Sequence, residues 1–167
     1  RLPTGIRLVA TGGRWSSHDH VVFATHADDT LRLLGADATS AERRILGAFR
    51  YQANRAVLHR DVALMPRRRG AWSSWNYLAK RQADDAKVAV TYWMNRLQNL
   101  PAKSPVLVTL NPLDEPAPRS VLREFTSSHP QFDGAAIAAQ GGLRDVQGVR
   151  RSWFCGAYCG NGFHEDA

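Results

Sequence analysis

The chain is 167 residues long and 44 % apolar, and it carries 22 Lys and Arg against 15 Asp and Glu for a formal charge of +7. That length builds one domain with a real core and does not demand a second complete one. No run of about 18 apolar residues and no basic-then-apolar leader is visible in these residues, and the expectation is a soluble, cytoplasmic chain.

In chain order, Gly5 to Ala10 (GIRLVA) predicts a short strand, Thr11 to Gly13 a turn, and His20 to Ala24 (HVVFA) a second strand, together a hairpin that feeds a buried strand. The stretch THADDTLRLL then puts Ala27, Leu31 and Leu34 on one helical face, with Asp28 and Asp29 at the end where the helix dipole favours them. Thr39 with Glu42 three residues on is a capping box for a second helix, Ser40 to about Arg50, whose apolar stripe is Ile45, Leu46 and Phe49.

Beyond Asn54 the pattern turns to strands: RAVLHRDV, AWSSWNYL, KVAVTYWM and PVLVTLNP, separated by polar or Pro-containing joins. They predict a mostly antiparallel sheet with flanking helices, an α+β fold. SVLREFTSSHPQF reads as a further strand ending at the His129-Pro130 step, and DGAAIAAQ as a short helix capped by Asp133. Ser152 to Ala157 reads as a last strand, and Gly160-Asn161-Gly162 as a turn onto FHEDA, a helix barely begun.

Several groups could carry chemistry, each beside a plainer reading. Lys80, Lys87 and Lys103 are the only lysines, and such dominance by arginine suits phosphate or carboxylate recognition, or reflects a GC-rich coding sequence. Arg67, Arg68 and Arg69, framed by Trp72, Trp75 and Tyr77, resemble a basic patch interleaved with aromatics, as in polyanion and nucleic-acid binders, or else a solvated connection whose aromatics face a core or pocket. The cysteines, Cys155 and Cys159, are too close for an unstrained bridge and read as reduced, buried structural thiols. With His164 they make only three potential zinc ligands at a non-standard spacing, so no metal is assigned. His26 and His59 read as hydrogen-bonded structure. Neither G-x-G-x-x-G nor G-x-x-x-x-G-K-[ST] occurs, so the usual phosphate cradles cannot be assembled from these residues. The ending, a strand that delivers Gly156, a glycine-lined turn and a helix start at Phe163, would aim backbone N–H groups at an anion or electron-rich ring, or would simply connect two elements.

A family resemblance joins these pieces. Asp19 to Leu34 (DHVVFATHADDTLRLL), Ala48 to Leu78 (AFRYQANRAVLHRDVALMPRRRGAWSSWNYL), Val90 to Leu100 (VTYWMNRLQNL), Val108 to Pro112 (VTLNP), His129 to Asp133 (HPQFD) and Trp153 to Ala167 (WFCGAYCGNGFHEDA) resemble the bacterial FAD-dependent, amine-oxidase-like oxidoreductases described as predicted NAD/FAD-binding proteins. The similarity covers nearly the whole chain from Gly5. It implies a fragment without the N-terminal dinucleotide-binding motif: residues 1–34 adjoin the missing FAD domain, 35–150 form a substrate domain, and 151–167 supply a returning strand and the start of a flavin-contacting helix. The family continues past GFHED with Gly and a further helix, where this chain has Ala167.

The resemblance further implies FAD as cofactor of the full-length protein, with Gly156 and Ala157 closing on the flavin, and Gly162, Phe163, His164, Glu165 and Asp166 at the helix start beside its pyrimidine edge. Ala24 and Thr25 would lie near the cofactor's path. On the substrate side, Trp75, Tyr77, Tyr92, Trp93 and Asn95 are the candidates, since aromatic walls exclude water from a hydride-transfer site. The flavin carries the redox chemistry, so no catalytic dyad is expected, and the fragment alone would be inactive. A small molecule or a lipid, fatty-acyl compounds among them, is the substrate the family implies, and nucleic acid is not expected. The competing reading is a stand-alone basic module that binds nucleic acid or another polyanion through Arg67, Arg68, Arg69, Trp72 and Trp75.

Overall fold

Ile6–Val9 (β1) and Trp15–His18 (β2) form an antiparallel hairpin in which Ile6 faces His18 and Val9 faces Trp15. Gly12 and Gly13 turn it with φ of 90° and 78°, a region that side chains oppose. The computed structural model describes residues 1–82, 85–163 and 166. It corrects the expected partner of β1, which is WSSH rather than HVVFA. WSSH has no apolar alternation to announce a strand, since its backbone supplies the pairing and all four residues are exposed.

Val21–Phe23 (β3) instead pairs in parallel with Ser152–Phe154, Val21 opposite Ser152 and Phe23 opposite Phe154. It is also less buried than expected, Val22 being exposed. After it comes the helix Ala27–Leu34 (α1), which buries Ala27, Thr30 and Leu34. The helix Ser40–Leu46 (α2) follows with both halves of its capping box made: Glu42 N–H donates to Thr39 Oγ1 at 3.1 Å, and Thr39 N–H to Glu42 Oε2 at 2.7 Å. The helix stops short of Arg50 because Gly47 caps it and the next strand begins at that arginine.

Arg50–His59 (β4), Trp75–Gln82 (β5), Asp85–Trp93 (β6), Leu107–Leu110 (β7) and Val121–Gln131 (β8) make a five-stranded sheet ordered β5-β6-β7-β4-β8, with β5–β6, β6–β7 and β7–β4 antiparallel. A one-turn helix, Met94–Leu97 (α3), follows β6. β8 runs through Pro130 rather than ending before it, which its place at the sheet edge allows, because a missing N–H costs little there. Asp133 caps Gly134–Gln140 (α4), its Oδ1 accepting from Ala136 N–H at 2.9 Å. The last strand, Ser152–Phe154 (β9), ends three residues before the expected Ala157, because residues 157–159 coil into a 3-10 turn. The fold is α+β.

The chain divides into two compact units, Arg1–Gln52 with Pro130–Ala167, and Ala53–His129. The first buries Ala27, Ile45, Leu46, Phe49, Phe154 and Tyr158 around α1, α2 and α4. The second has a small core of Met65, Trp72 and Leu107 with Trp93 against it. Among the described residues no helix is long and apolar enough to cross a membrane.

Candidate functional site

Because β3 and β9 run parallel, both end at the same place, and Cys155 N–H extends their ladder by donating to Phe23 carbonyl at 3.0 Å. Beyond those carboxyl ends lies a pocket of about 220 Å³ within the first unit. Four of the cofactor candidates line it: Ala24 and Thr25 after β3, Gly156 and Ala157 after β9. They are joined by His26, which read as hydrogen-bonded structure, and by Tyr51, Pro130 and Tyr158, which the sequence did not single out.

Gly156 sits at φ 149°, and a Cβ there would come 2.9 Å from the Tyr158 ring, so only glycine fits without displacing that ring. His26 stacks on Tyr51 with centroids 4.3 Å apart. Tyr51 Oη accepts from Ala27 N–H at 2.9 Å and so caps α1, which His26 leaves without a side-chain cap. Burial raises the Tyr51 pKa despite that hydrogen bond, and Asp28 and Asp29 push the same way. Tyr158 is 1 % exposed, and its Oη makes no hydrogen bond of good geometry with a described residue. Burial drives its hydroxyl well above the ordinary tyrosine range, so it stays protonated as a donor.

The chain shares its fold with a fatty acid isomerase. The crystal structure of a CLA-producing fatty acid isomerase from P. acnes aligns with a TM-score of 0.53 at 12 % identity, over 92 % of this chain. This chain spans 40 % of the isomerase chain, and at that identity the likeness is one of fold alone. No family model matches the sequence, and no curated protein matches it.

Among the remaining cofactor candidates, the described residues Gly162, Phe163 and Asp166 are not part of the pocket lining. Gly162 packs under Phe132, whose ring a Cβ would meet at 2.7 Å. Phe163 is exposed, and Asp166 Oδ2 accepts from the N–H groups of Asn161 and Phe163 at 2.8 and 3.0 Å, which closes the turn upon itself. His164 and Glu165 lie outside the described residues. Cys155 and Cys159 are free thiols, half-buried rather than buried as expected. Burial raises the Cys159 pKa, which keeps it a thiol. His26, Asp28 and Asp29 bring their ligand atoms within 4.8 Å of one another at the start of α1, where the carboxylates also serve the helix dipole.

The substrate candidates divide between two faces of the sheet. Trp75 and Tyr92 meet edge to face at 5.7 Å, and Tyr77, exposed, stands two residues along the same face of β5. Trp93 points the other way and packs edge-on against Trp72 at 5.3 Å. Asn95 ties down its own loop: its Nδ2 donates to the carbonyls of Ala102 and Ser104, and its Oδ1 accepts from Val106 N–H. Trp72, read as a stacking platform, is 8 % exposed, donates from Nε1 to Pro66 carbonyl, and has Arg69 over its ring at 5.3 Å.

The pocket-lining group that sequence reasoning missed was hard to see in advance. Tyr158 stands between the two cysteines that drew attention to themselves, while Tyr51 falls between the expected second helix and the first expected sheet strand, and Pro130 at the expected end of a strand. Only the hydroxyl of Tyr158 in an otherwise apolar and glycine-rich stretch is a usable signal, because a buried phenol usually finds a partner.

Proposed function

We propose that this chain is part of an FAD-dependent oxidoreductase of the amine-oxidase-like kind, and that the pocket beyond β3 and β9 receives the ring end of the cofactor. The observation that carries this is the parallel pair itself, since in α/β arrangements ligands bind beyond the carboxyl ends of parallel strands. The residues present fit such a ring: Gly156 lets backbone come close, and the Tyr158 hydroxyl, buried beside the Cys159 thiol without a hydrogen bond of good geometry, offers a donor. They do not fit its phosphates, so the pyrophosphate cradle would come from another segment.

When bound, FAD would supply hydride transfer. The chain's own residues have narrower tasks. The Gly156 and Ala157 backbone would approach the ring edge, and Tyr158 Oη, kept protonated, would donate to an acceptor on it. The stacked His26 and Tyr51 would exclude water from one side. Trp75, Tyr77 and Tyr92 form the aromatic face offered to a substrate, small-molecule or lipid; the isomerase of similar fold acts on a fatty acid.

The test is to purify the native polypeptide that contains this chain and read its visible flavin absorbance. Flavin should co-purify, Gly156→Val should lose it with far-UV circular dichroism unchanged, and Tyr158→Phe should keep it while weakening retention in dialysis. A polypeptide that never holds flavin, or a Gly156→Val variant that holds it stoichiometrically, overturns the reading.

A further inference from the structure

We infer that Ala53–His129 carries a binding pocket of its own for a monocarboxylate with an apolar tail, the tail lying against Leu64, Met65 and Leu78 and the carboxylate on Arg67. This does not rest on the flavin reading, because every residue involved lies in the second unit.

The pocket is about 430 Å³, within the roughly 300–1,000 Å³ of small-molecule sites. One wall is the face of β5 that bears Asn76, Leu78 and Lys80, and the other is the connection from Ala63 through Met65 and Pro66 to Arg67. Met65 is buried at the base, whereas Leu78 leaves 42 % of its surface in water. An apolar tail laid on that surface would release the water it now holds.

The polar groups choose the head. Asn76 is fully engaged: its Nδ2 donates to the carbonyls of Ser73 and Thr91, and its Oδ1 accepts from Ser73 N–H. Lys80 Nζ is paired with Asp114 at 2.5 Å, so the two charges cancel. Arg67 is different. It lines the pocket, is exposed, and makes no ion pair or hydrogen bond with a described residue. Among the described residues that line the pocket, Arg67 is thus the one uncompensated cation, and its planar fork matches a carboxylate. An unpaired surface arginine alone would be ordinary, as would an apolar hollow alone. Their combination selects a ligand with one anionic end and an apolar body, and the neutral Lys80–Asp114 pair disfavours a second charge. A nucleic-acid strand is less suited, because the neighbouring Trp72 is buried and cannot stack a base.

Intrinsic tryptophan fluorescence and calorimetry on the 167-residue chain would test this with hexanoate, octanoate and decanoate, each below its micellar concentration. Saturable one-to-one binding should tighten about fourfold per added methylene, the equivalent of ~0.8 kcal/mol. Decanol should bind about tenfold more weakly than decanoate, and Arg67→Gln should bring decanoate down to the decanol level, while Arg123→Gln, an exposed arginine outside the pocket, should leave it unchanged. Leu78→Gln should flatten the chain-length series. An affinity independent of chain length, or an Arg67→Gln variant that binds like the parent, overturns the proposal. So does decyl phosphate binding more than about tenfold tighter than decanoate, or oligothymidylate displacing decanoate, since the pocket would then read phosphate or a polyanion.

Discussion

His59 is completely buried in the sheet, and its two hydrogen bonds settle its tautomer. Asp61 N–H donates to Nδ1 at 3.1 Å, so the ring proton is on Nε2 and is donated to Thr109 Oγ1 at 2.7 Å; Thr109 in turn lies 2.9 Å from Thr91 Oγ1. Protonation would put the ring's second N–H hydrogen on Nδ1, facing an N–H donor. Burial accordingly pushes the His59 pKa below its ordinary 6.5, and the nearby Asp61 carboxylate opposes this only in part. The folded state binds this proton less readily than the unfolded chain, so His59 costs nothing well above pH 6.5 and destabilises as the pH falls through that value. Urea midpoints should therefore decline from about pH 7.5 to about pH 5.5, with a His59 share of roughly 1 kcal/mol, and His59→Gln should remove that share of the slope while lowering stability at neutral pH. If the slope is the same in the variant, the ring is not the titrating group.

Among the elements, those made by neighbouring residues were legible and those made by distant ones were not. The box of Thr39 with Glu42 and the cap at Asp133 close hydrogen bonds within three residues, and both helices begin where the sequence expects. The partner of β3 lies more than a hundred residues away, and nothing within VVF names SWF as its mate. The candidate site follows the same rule: Ala24, Thr25, Gly156 and Ala157 came from motif resemblance, while Tyr51 reaches the pocket only because α1 folds its start onto β4. Glu42 shows what local reading leaves out even where it succeeds. Its carboxylate is fully buried and also receives two hydrogen bonds from the Arg1 guanidinium at 2.6 and 2.7 Å. Burial alone would raise its pKa, but the Arg1 and Thr39 hydrogen bonds hold it below the usual value, so this stability is present above pH 4.5 and is lost as the pH falls through the lowered folded pKa. Glu42→Gln keeps a capping acceptor for Thr39 N–H yet removes the buried counter-charge of the Arg1 guanidinium, which retains only its bonds to Ser152 Oγ and the Asp37 carbonyl, and should cost about 3 kcal/mol with an unchanged denaturant slope. A loss under about 1 kcal/mol would mean that the cap, and not the ion pair, is what Glu42 contributes.

At the scale of the whole molecule, the charge is far from evenly spread. Ala53–His129 holds 12 Lys and Arg against 6 Asp and Glu, whereas the other unit holds 10 against 9, so 6 of the 7 excess positive charges fall on one unit. Composition showed the excess, but only the division of the chain shows where it resides. Such a field attracts any anion, and attraction by charge alone has a signature distinct from recognition: affinity falls steeply with salt and ignores the bases. Specific reading of a strand would need aromatic faces, yet Trp72 is enclosed by Arg69 and Trp93, and Trp75 already meets Tyr92. Fluorescence anisotropy with short single-stranded oligonucleotides should therefore find weak binding that drops about tenfold or more between roughly 50 and 200 mM salt, and equally for adenine, thymine and cytosine strands. Replacing Arg67, Arg68 and Arg69 together by Gln should flatten the salt slope without changing the order of the strands. Base preference that survives at the higher salt would show a stacking surface in use, and the second unit would then be a polyanion-binding module in its own right.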